Sequence, residues 1–151
     1  MASKLRLRAF DADDLQVISA AMQDALVAIK DIGWFADEKR LVLVANRFRW
    51  EVPADADGAW SRTHSALVFH ELGGVRHVDM PLGEPDRILE LLSVGVEAVE
   101  PEKTTVLLRF AAHRTIRLEA PKLLCHLEDL GEPWPTRWRP EHPGAEVDAA
   151  R

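Results

Sequence analysis

The sequence predicts an α+β protein with mostly antiparallel sheets, one main helix and one short helix. Most of the chain alternates apolar and polar residues, which is the pattern of strands with one buried face. One stretch instead repeats its apolar residues at steps of three and four, from Leu15 to Ile29, which indicates an amphipathic helix. With 151 residues, 47% of them hydrophobic, the chain is long enough to form one core.

The first half begins with a predicted strand at residues 4–9, where basic and apolar side chains alternate. Asp11 follows and is a suitable N-cap for the main helix. Residues 34–44 then predict a hairpin with a charged turn, and residues 53–58 have the composition of a loop. Further strands of this half are expected at residues 46–52 and 65–70.

The second half starts at Gly73-Gly74, which predicts a two-residue hairpin turn into residues 75–78. Residues 85–92 predict the short helix, because Pro85 suits a first helical position; a strand is the alternative for this segment. The remaining segments predict strands, at residues 94–98, 106–110, 115–119 and 122–128.

The order of these elements predicts a duplicated unit. Residues 4–72 and 76–130 each run as strand, helix and further strands, so we expect pseudo-repeats of a β-α-β4 unit within one domain, residues 1–131. Residues 132–151 form a tail rich in proline and tryptophan. We expect this tail to lie extended with its tryptophans docked, and to be disordered from about residue 141.

Composition excludes several classes of function. The net charge of −6 repels a phosphate backbone, which argues against nucleic acid as a partner. No apolar run approaches the ~20 residues of a membrane helix, and no signal peptide is evident. A single cysteine, Cys125, cannot form an internal disulfide, so we expect a cytoplasmic protein. The motifs of common cofactor sites are absent, and no cofactor is expected.

Several short motifs carry a resemblance to a known family. They are Leu5-x-Leu7-x-Ala9-x-Asp11, Asn46-Arg47-Phe48-x-Trp50-Glu51 and Leu127-Glu128-Asp129-Leu130-Gly131-x-Pro133-Trp134. On these residues the chain resembles an uncharacterised alphaproteobacterial family of small cytoplasmic proteins of unknown function. The resemblance implies a bacterial, soluble protein and brings no activity, cofactor or catalytic residue. The chain departs from the family at Ala111-Ala112-His113, where a glycine-rich turn is typical.

Two histidines are candidate metal ligands. If Gly73-Gly74 closes a hairpin, His70 lies opposite His77, with their Cβ atoms about 5 Å apart. Asp79 projects to the same side as His77 and would add a carboxylate to a zinc site. The alternative is that both histidines are ordinary strand residues, since two ligands without a firm third make a weak site.

A second candidate site consists of polar residues that would bind a ligand. Its members would be Gln23, Asp24, Arg47, Trp50 and Glu51. Asp24 paired with Arg47 would form either the polar end of a pocket or a structural bridge between helix and sheet. A separate basic patch would form if the stripe of Lys4, Arg6 and Arg8 lay next to Arg47 and Arg49; the alternative is a solvated face paired with carboxylates.

These observations favour a non-enzymatic interaction or structural protein of the bacterial cytoplasm. Its partners would be a second copy of the chain or another protein, because open sheet edges are natural contacts. The alternative is a small enzyme or ligand-binding module that uses the polar site near Asp24, Arg47 and Glu51, or a metal site at His70 and His77. No nucleophile with an adjacent base can be assembled, so no reaction is assigned.

Overall fold

A computed structural model describes residues 4–141. These residues form one antiparallel sheet of 11 strands and one α-helix. Two short 3-10 turns, Ile29–Asp31 and Ala36–Glu38, interrupt the strands. In chain order the elements are β1 (Arg6–Ala9), α1 (Ala12–Met22), β2 (Ala25–Ala28), β3 (Ile32–Phe35), β4 (Arg40–Phe48), β5 (Trp60–Phe69), β6 (Gly74–Val78), β7 (Ile88–Glu100), β8 (Lys103–Phe110), β9 (Arg114–Ala120), β10 (Cys125–Asp129) and β11 (Trp134–Thr136).

The sheet interleaves the two halves of the chain. Its strand order is β1-β10-β5-β4-β2-β7-β8-β9-β6, with β3 added to β4 and β11 added to β5. Strand β1 therefore pairs with β10, and β2 pairs with β7, across the supposed boundary between repeats. The predicted α+β fold with a duplicated β-α-β4 unit is wrong, because the sheet is continuous and residues 76–130 contain no α-helix.

The short helix predicted at residues 85–92 is also wrong, and the alternative of a strand is correct. Ile88–Glu100 forms β7, which lies between β2 and β8. Leu89 and Leu91 are buried, whereas Ile88 and Leu92 are 57% and 37% exposed, which is the alternation of a strand. A short run such as Ile88-Leu89-Glu90-Leu91-Leu92 does not distinguish the two periods, and pairing with two neighbouring strands decides the outcome.

Helix α1 begins where the sequence predicts and ends earlier. The Asp11 carboxylate accepts a hydrogen bond from the backbone N–H of Asp14 at 2.8 Å, which confirms the N-cap. The helix buries Leu15, Ile18 and Met22 and ends at Met22. Asp24, at φ 63°, then reverses the chain into β2, so the apolar spacing beyond Met22 belongs to a strand.

Alternation divides the sheet into two faces. On the inner face, Leu41, Leu43 and Ala45 of β4 pack into one core with α1 and with β5, β7, β8, β9 and β10. Their neighbours Val42 and Val44 are partly exposed on the opposite side, which we call the outer face. The sheet thus folds over a single core that α1 fills from within.

The sequence predicts pairing between strands that are neighbours in the chain better than pairing between distant strands. The hairpins β3–β4 and β8–β9 are confirmed. The hairpin expected at Gly73-Gly74 is wrong, because β6 pairs with β9. Within residues 4–141, no helix is long and apolar enough to cross a membrane.

The tail only partly follows its prediction. Residues Trp134–Thr136 extend the sheet as β11, and the Trp134 ring lies 4.8 Å from the His64 ring. Trp138 does not dock, because it is 83% exposed. The disorder expected beyond residue 141 falls outside the described residues.

Candidate functional site

Arg47 is the centre of a buried ionic network on the inner face of β4. Its side chain is fully buried, and its Nε and Nη2 atoms each donate to an oxygen of Asp129 at 2.9 Å. Its Nη1 and Nη2 atoms donate to the two carboxylate oxygens of Glu51 at 2.9 and 2.7 Å. The guanidinium therefore makes two bidentate ion pairs, the strongest geometry for such a contact.

Asp129 receives further hydrogen bonds that complete its coordination. The Ser65 hydroxyl donates to it at 2.6 Å, and the backbone N–H of Leu5 donates at 2.8 Å. Burial by itself raises the pKa of the Asp129 carboxyl, but the hydrogen bonds from Arg47, Ser65 and Leu5 lower it overall. The carboxylate stays ionised. It links β10 to β4, to β5 and to the residue before β1, so the network has a structural role.

The structure splits the predicted ligand-binding set. Arg47 and Glu51 meet directly, and Arg47 also pairs with Asp129, which lies outside the predicted set. Trp50 donates through Nε1 to the carbonyl oxygen of Gln23 at 2.9 Å, which ties the segment after β4 to the end of α1. Asp24 is buried and its charge acts on Arg62.

Sequence reasoning missed the partnership of Asp129 with Arg47. A signal was present: Asp129 follows Cys125 and Leu127 at a spacing of two, so a strand places all three on the same buried face. A carboxylate at such a position requires a buried cation.

The outer face holds an open groove beside β2, β4 and β5. The groove has a volume of about 580 Å³. Aliphatic residues form most of its lining, and Asn46, His64 and Asp31 supply the polar groups. The side-chain oxygen of Asn46 accepts a hydrogen bond from Arg62 at 3.0 Å, and the Arg62 guanidinium lies 5.8 Å from the Phe48 ring centre. The groove suits an apolar ligand surface with a few polar contacts.

A second cavity, of about 650 Å³, lies on the outer side of β1 and β10. Its lining includes Arg6, Arg8, His70 and His126. The Nε2 atom of His70 lies 3.0 Å from Nδ1 of His126, and the two rings stack with centres 5.0 Å apart. Burial, His126 and Arg40 lower the pKa of His70. We call this cavity the imidazole recess.

The geometry assumed for the metal site is wrong. His77 lies on β6 opposite Ile116 of β9. Strand β6 does not pair with β5, the strand that precedes His70. Asp79 lies beyond β6 at φ 57°, and its carbonyl oxygen accepts from Arg114 at 3.1 Å. Among residues 4–141, no three His, Cys, Asp or Glu side chains are placed to hold a metal ion.

The predicted basic patch does not assemble either. Arg6 and Arg8 line the outer side of β1, whereas Arg47 is buried on the inner face. Arg49 is also buried, and its guanidinium donates to the Ser61 hydroxyl at 3.1 Å. Strand β1 pairs with β10 and is separated from β4 by β10 and β5, so the two arginine stripes are not neighbours in the sheet.

Comparison with known proteins assigns the chain to a family and indicates no specific function. No curated protein and no solved structure matches the sequence. A family model, described as a protein of unknown function (DUF2948), matches residues 5–142. The match spans nearly the whole chain, so the protein belongs to the DUF2948 family of unknown function.

Proposed function

We propose that this protein is an interaction module of the bacterial cytoplasm that binds an acidic, amphipathic segment of a partner protein. The binding surface is the outer face of β2, β4, β5 and β10. One observation carries the proposal: within residues 4–141, α1 packs against the inner face, while apolar side chains on the outer face remain open to solvent.

The floor of the surface is a continuous apolar strip. Val42 lies opposite Val68, and Val44 lies opposite Ala66, so four aliphatic side chains are adjacent on β4 and β5. Val42, Val44 and Ala66 are partly exposed, whereas Val68 is only 6% exposed. At the rim of the groove, Ile88 and Leu130 are 57% and 48% exposed. A contiguous patch of this kind is typical of interaction sites. The groove is open along one side, which suits a polypeptide segment better than an enclosed small molecule.

The charge beside the strip supports an acidic partner. Arg8 and His126 lie at the β1–β10 end of the outer face, beside the Arg6–Glu128 pair, on a chain whose net charge is −6. A local basic edge on an acidic protein attracts an acidic segment and repels basic ones. The polar residues of the Arg47 network bond to one another, so they supply no free reactive group and favour binding over catalysis.

Photocrosslinking tests the surface directly. A benzoylphenylalanine residue placed at Val44 reports what covers the outer face in living cells. The matched control places it at Val99, which is 73% exposed near the end of β7. We expect one partner to crosslink from Val44 and not from Val99, through an acidic segment with apolar residues.

The identified segment then provides a quantitative test with purified components. A Val42→Glu substitution sets a carboxylate against the acidic partner, and we expect it to weaken binding of the synthetic segment by about tenfold or more. Equal crosslinking from both positions, a basic partner segment, or crosslinking only to a second copy of the chain would overturn the proposal.

A further inference from the structure

We infer that the imidazole recess binds the dianion of a phosphate monoester through Arg8, His70 and His126. The source of the phosphate is a phosphorylated side chain of the partner segment, so this inference deepens the proposed function. The geometry of the recess does not depend on the partner, so phosphate binding can be tested with this protein alone.

The register of the sheet assembles the recess. Arg8 of β1 lies directly opposite His126 of β10, which sets their Cβ atoms about 5 Å apart on the outer face. His70 follows β5, and its backbone N–H donates to the Leu124 carbonyl oxygen at 2.9 Å, which fixes it beside His126. Three side chains that recognise phosphate therefore share one cavity.

The hydrogen-bond pattern leaves donors for a ligand. The contact between the two imidazoles uses Nε2 of His70 and Nδ1 of His126. The other ring nitrogens, Nδ1 of His70 and Nε2 of His126, make no hydrogen bond to any described residue. When the pair carries one added proton, both of these nitrogens are N–H donors.

The charge balance of the recess favours a dianion over a carboxylate. Arg6 is paired with Glu128 at 3.3 Å, and Arg40 is paired with Glu38 at 3.0 Å. Arg8 forms no ion pair within residues 4–141. Arg8 and one proton on the imidazole pair supply two positive charges, which a phosphate monoester neutralises and a single carboxylate does not.

Binding is expected to take up this proton. The groups that face His70 are His126, Arg40 and Glu71, and the first two oppose its protonation. On the β1 side, the charged neighbours of His126 are Arg8 and the Arg6–Glu128 pair. An arriving dianion offsets the positive charges, so the pair becomes protonated together with binding. Affinity should rise as pH falls from 8.0 to about 6.5 and decline once phosphate itself is protonated, near pH 6.

Phenyl phosphate is the probe, and ring-nitrogen NMR of the histidines in the full chain is the readout. We expect saturable shifts of His70 and His126, with affinity about threefold higher at pH 6.5 than at pH 8.0. Arg8→Gln should weaken binding about tenfold. The matched control is Arg76→Gln, which changes an exposed arginine on the opposite edge strand, β6, and should bind as the wild type does. Thermal unfolding checks that both variants remain folded.

The outcomes separate this inference from the proposed function. Non-saturable shifts, unchanged affinity in Arg8→Gln, equal binding of benzoate, or pH-independent affinity would overturn the recess, even if the Val44 crosslink persists. The partner segment is then compared in phosphorylated and unphosphorylated forms, and we expect tighter binding of the phosphorylated form. If phenyl phosphate binds and phosphorylation of the segment has no effect, the partner is excluded as the source of the phosphate.

Discussion

Asp129→Ala removes the acceptor of four hydrogen bonds from the inner face. Two come from Arg47, one from the Ser65 hydroxyl and one from the backbone N–H of Leu5. The side chains of Asp129 and Arg47 are only 2% and 0% exposed, so water cannot replace the lost partner without opening the sheet. The substitution leaves a buried guanidinium with Glu51 as its remaining carboxylate.

The expected cost is about 3–4 kcal/mol of unfolding free energy. Removal of one partner from a buried ion pair costs about 3–5 kcal/mol. The pair between Arg47 and the partly exposed Glu51 remains, so we expect a loss of stability near the lower end of this range. A domain is stable by about 5–15 kcal/mol, so the variant should still fold, with a Tm lower by roughly 6–16 °C.

Urea unfolding followed by tryptophan fluorescence measures this loss. The matched control is Glu128→Ala on the same strand, where the pair with Arg6 is largely exposed and should contribute less than about 1 kcal/mol. If Asp129→Ala costs no more than Glu128→Ala, the reasoning about the buried network is refuted.

The same pair of proteins gives a pH dependence with a defined sign. Burial opposes ionisation of Asp129, but the hydrogen bonds from Arg47 and Ser65 outweigh it, so the folded-state pKa lies below the unfolded value of about 3.9. The stabilisation is therefore present above about pH 4 and is lost as pH falls through the folded-state pKa. The stability difference between wild type and Asp129→Ala should shrink in acid, and a difference that grows in acid would contradict this.

Three further predictions concern other parts of the molecule. Burial, His126 and Arg40 lower the pKa of His70, so its contribution to stability is complete above about pH 6.5 and is lost below it. The Tm of His70→Gln should therefore fall less than the Tm of wild type between pH 7.5 and 5.5. Equal falls would count against the assignment. Burial raises the pKa of the Cys125 thiol, so iodoacetamide should modify it only as the chain unfolds in urea, whereas rapid labelling in buffer would show an accessible thiol. His113 has φ 60°, so His113→Gly should raise the unfolding free energy by about 1 kcal/mol in urea titrations, and a loss would mean that the histidine makes a compensating contact.

Features that depend on neighbouring residues could be predicted from the sequence. The Asp11 cap and the start of α1 are confirmed because capping acts across three residues. The β8–β9 hairpin is confirmed for the same reason, although Ala112 and His113 both adopt positive φ without glycine. The apolar steps predict too long a helix, because they continue past Met22, where α1 ends, into β2.

Features that depend on distant pairing could not be predicted. Gly73-Gly74 had the composition of a hairpin turn, yet the chain continues to a strand that pairs with β9. The sequence groups Arg47 with Glu51 because both lie just past a predicted hairpin strand, whereas Asp129 is 82 positions from Arg47. His126, likewise 56 positions from His70, becomes its partner through the pairing of β5 with β10. Alternation predicts which face a side chain occupies and leaves open which strand lies beside it.

The Arg47 network explains how one face of the sheet can be left uncovered. A shift of one residue between β10 and β5 would turn Asp129 to the outer face and leave Arg47 buried without that partner. The network therefore opposes slippage of the strands that carry the apolar strip and the imidazole recess. Because these strands are fixed before a partner arrives, binding needs little ordering of the backbone, and more of the contact energy contributes to affinity. Under the proposed function, the buried charges specify the register, and the opposite face of the same strands would bind the partner.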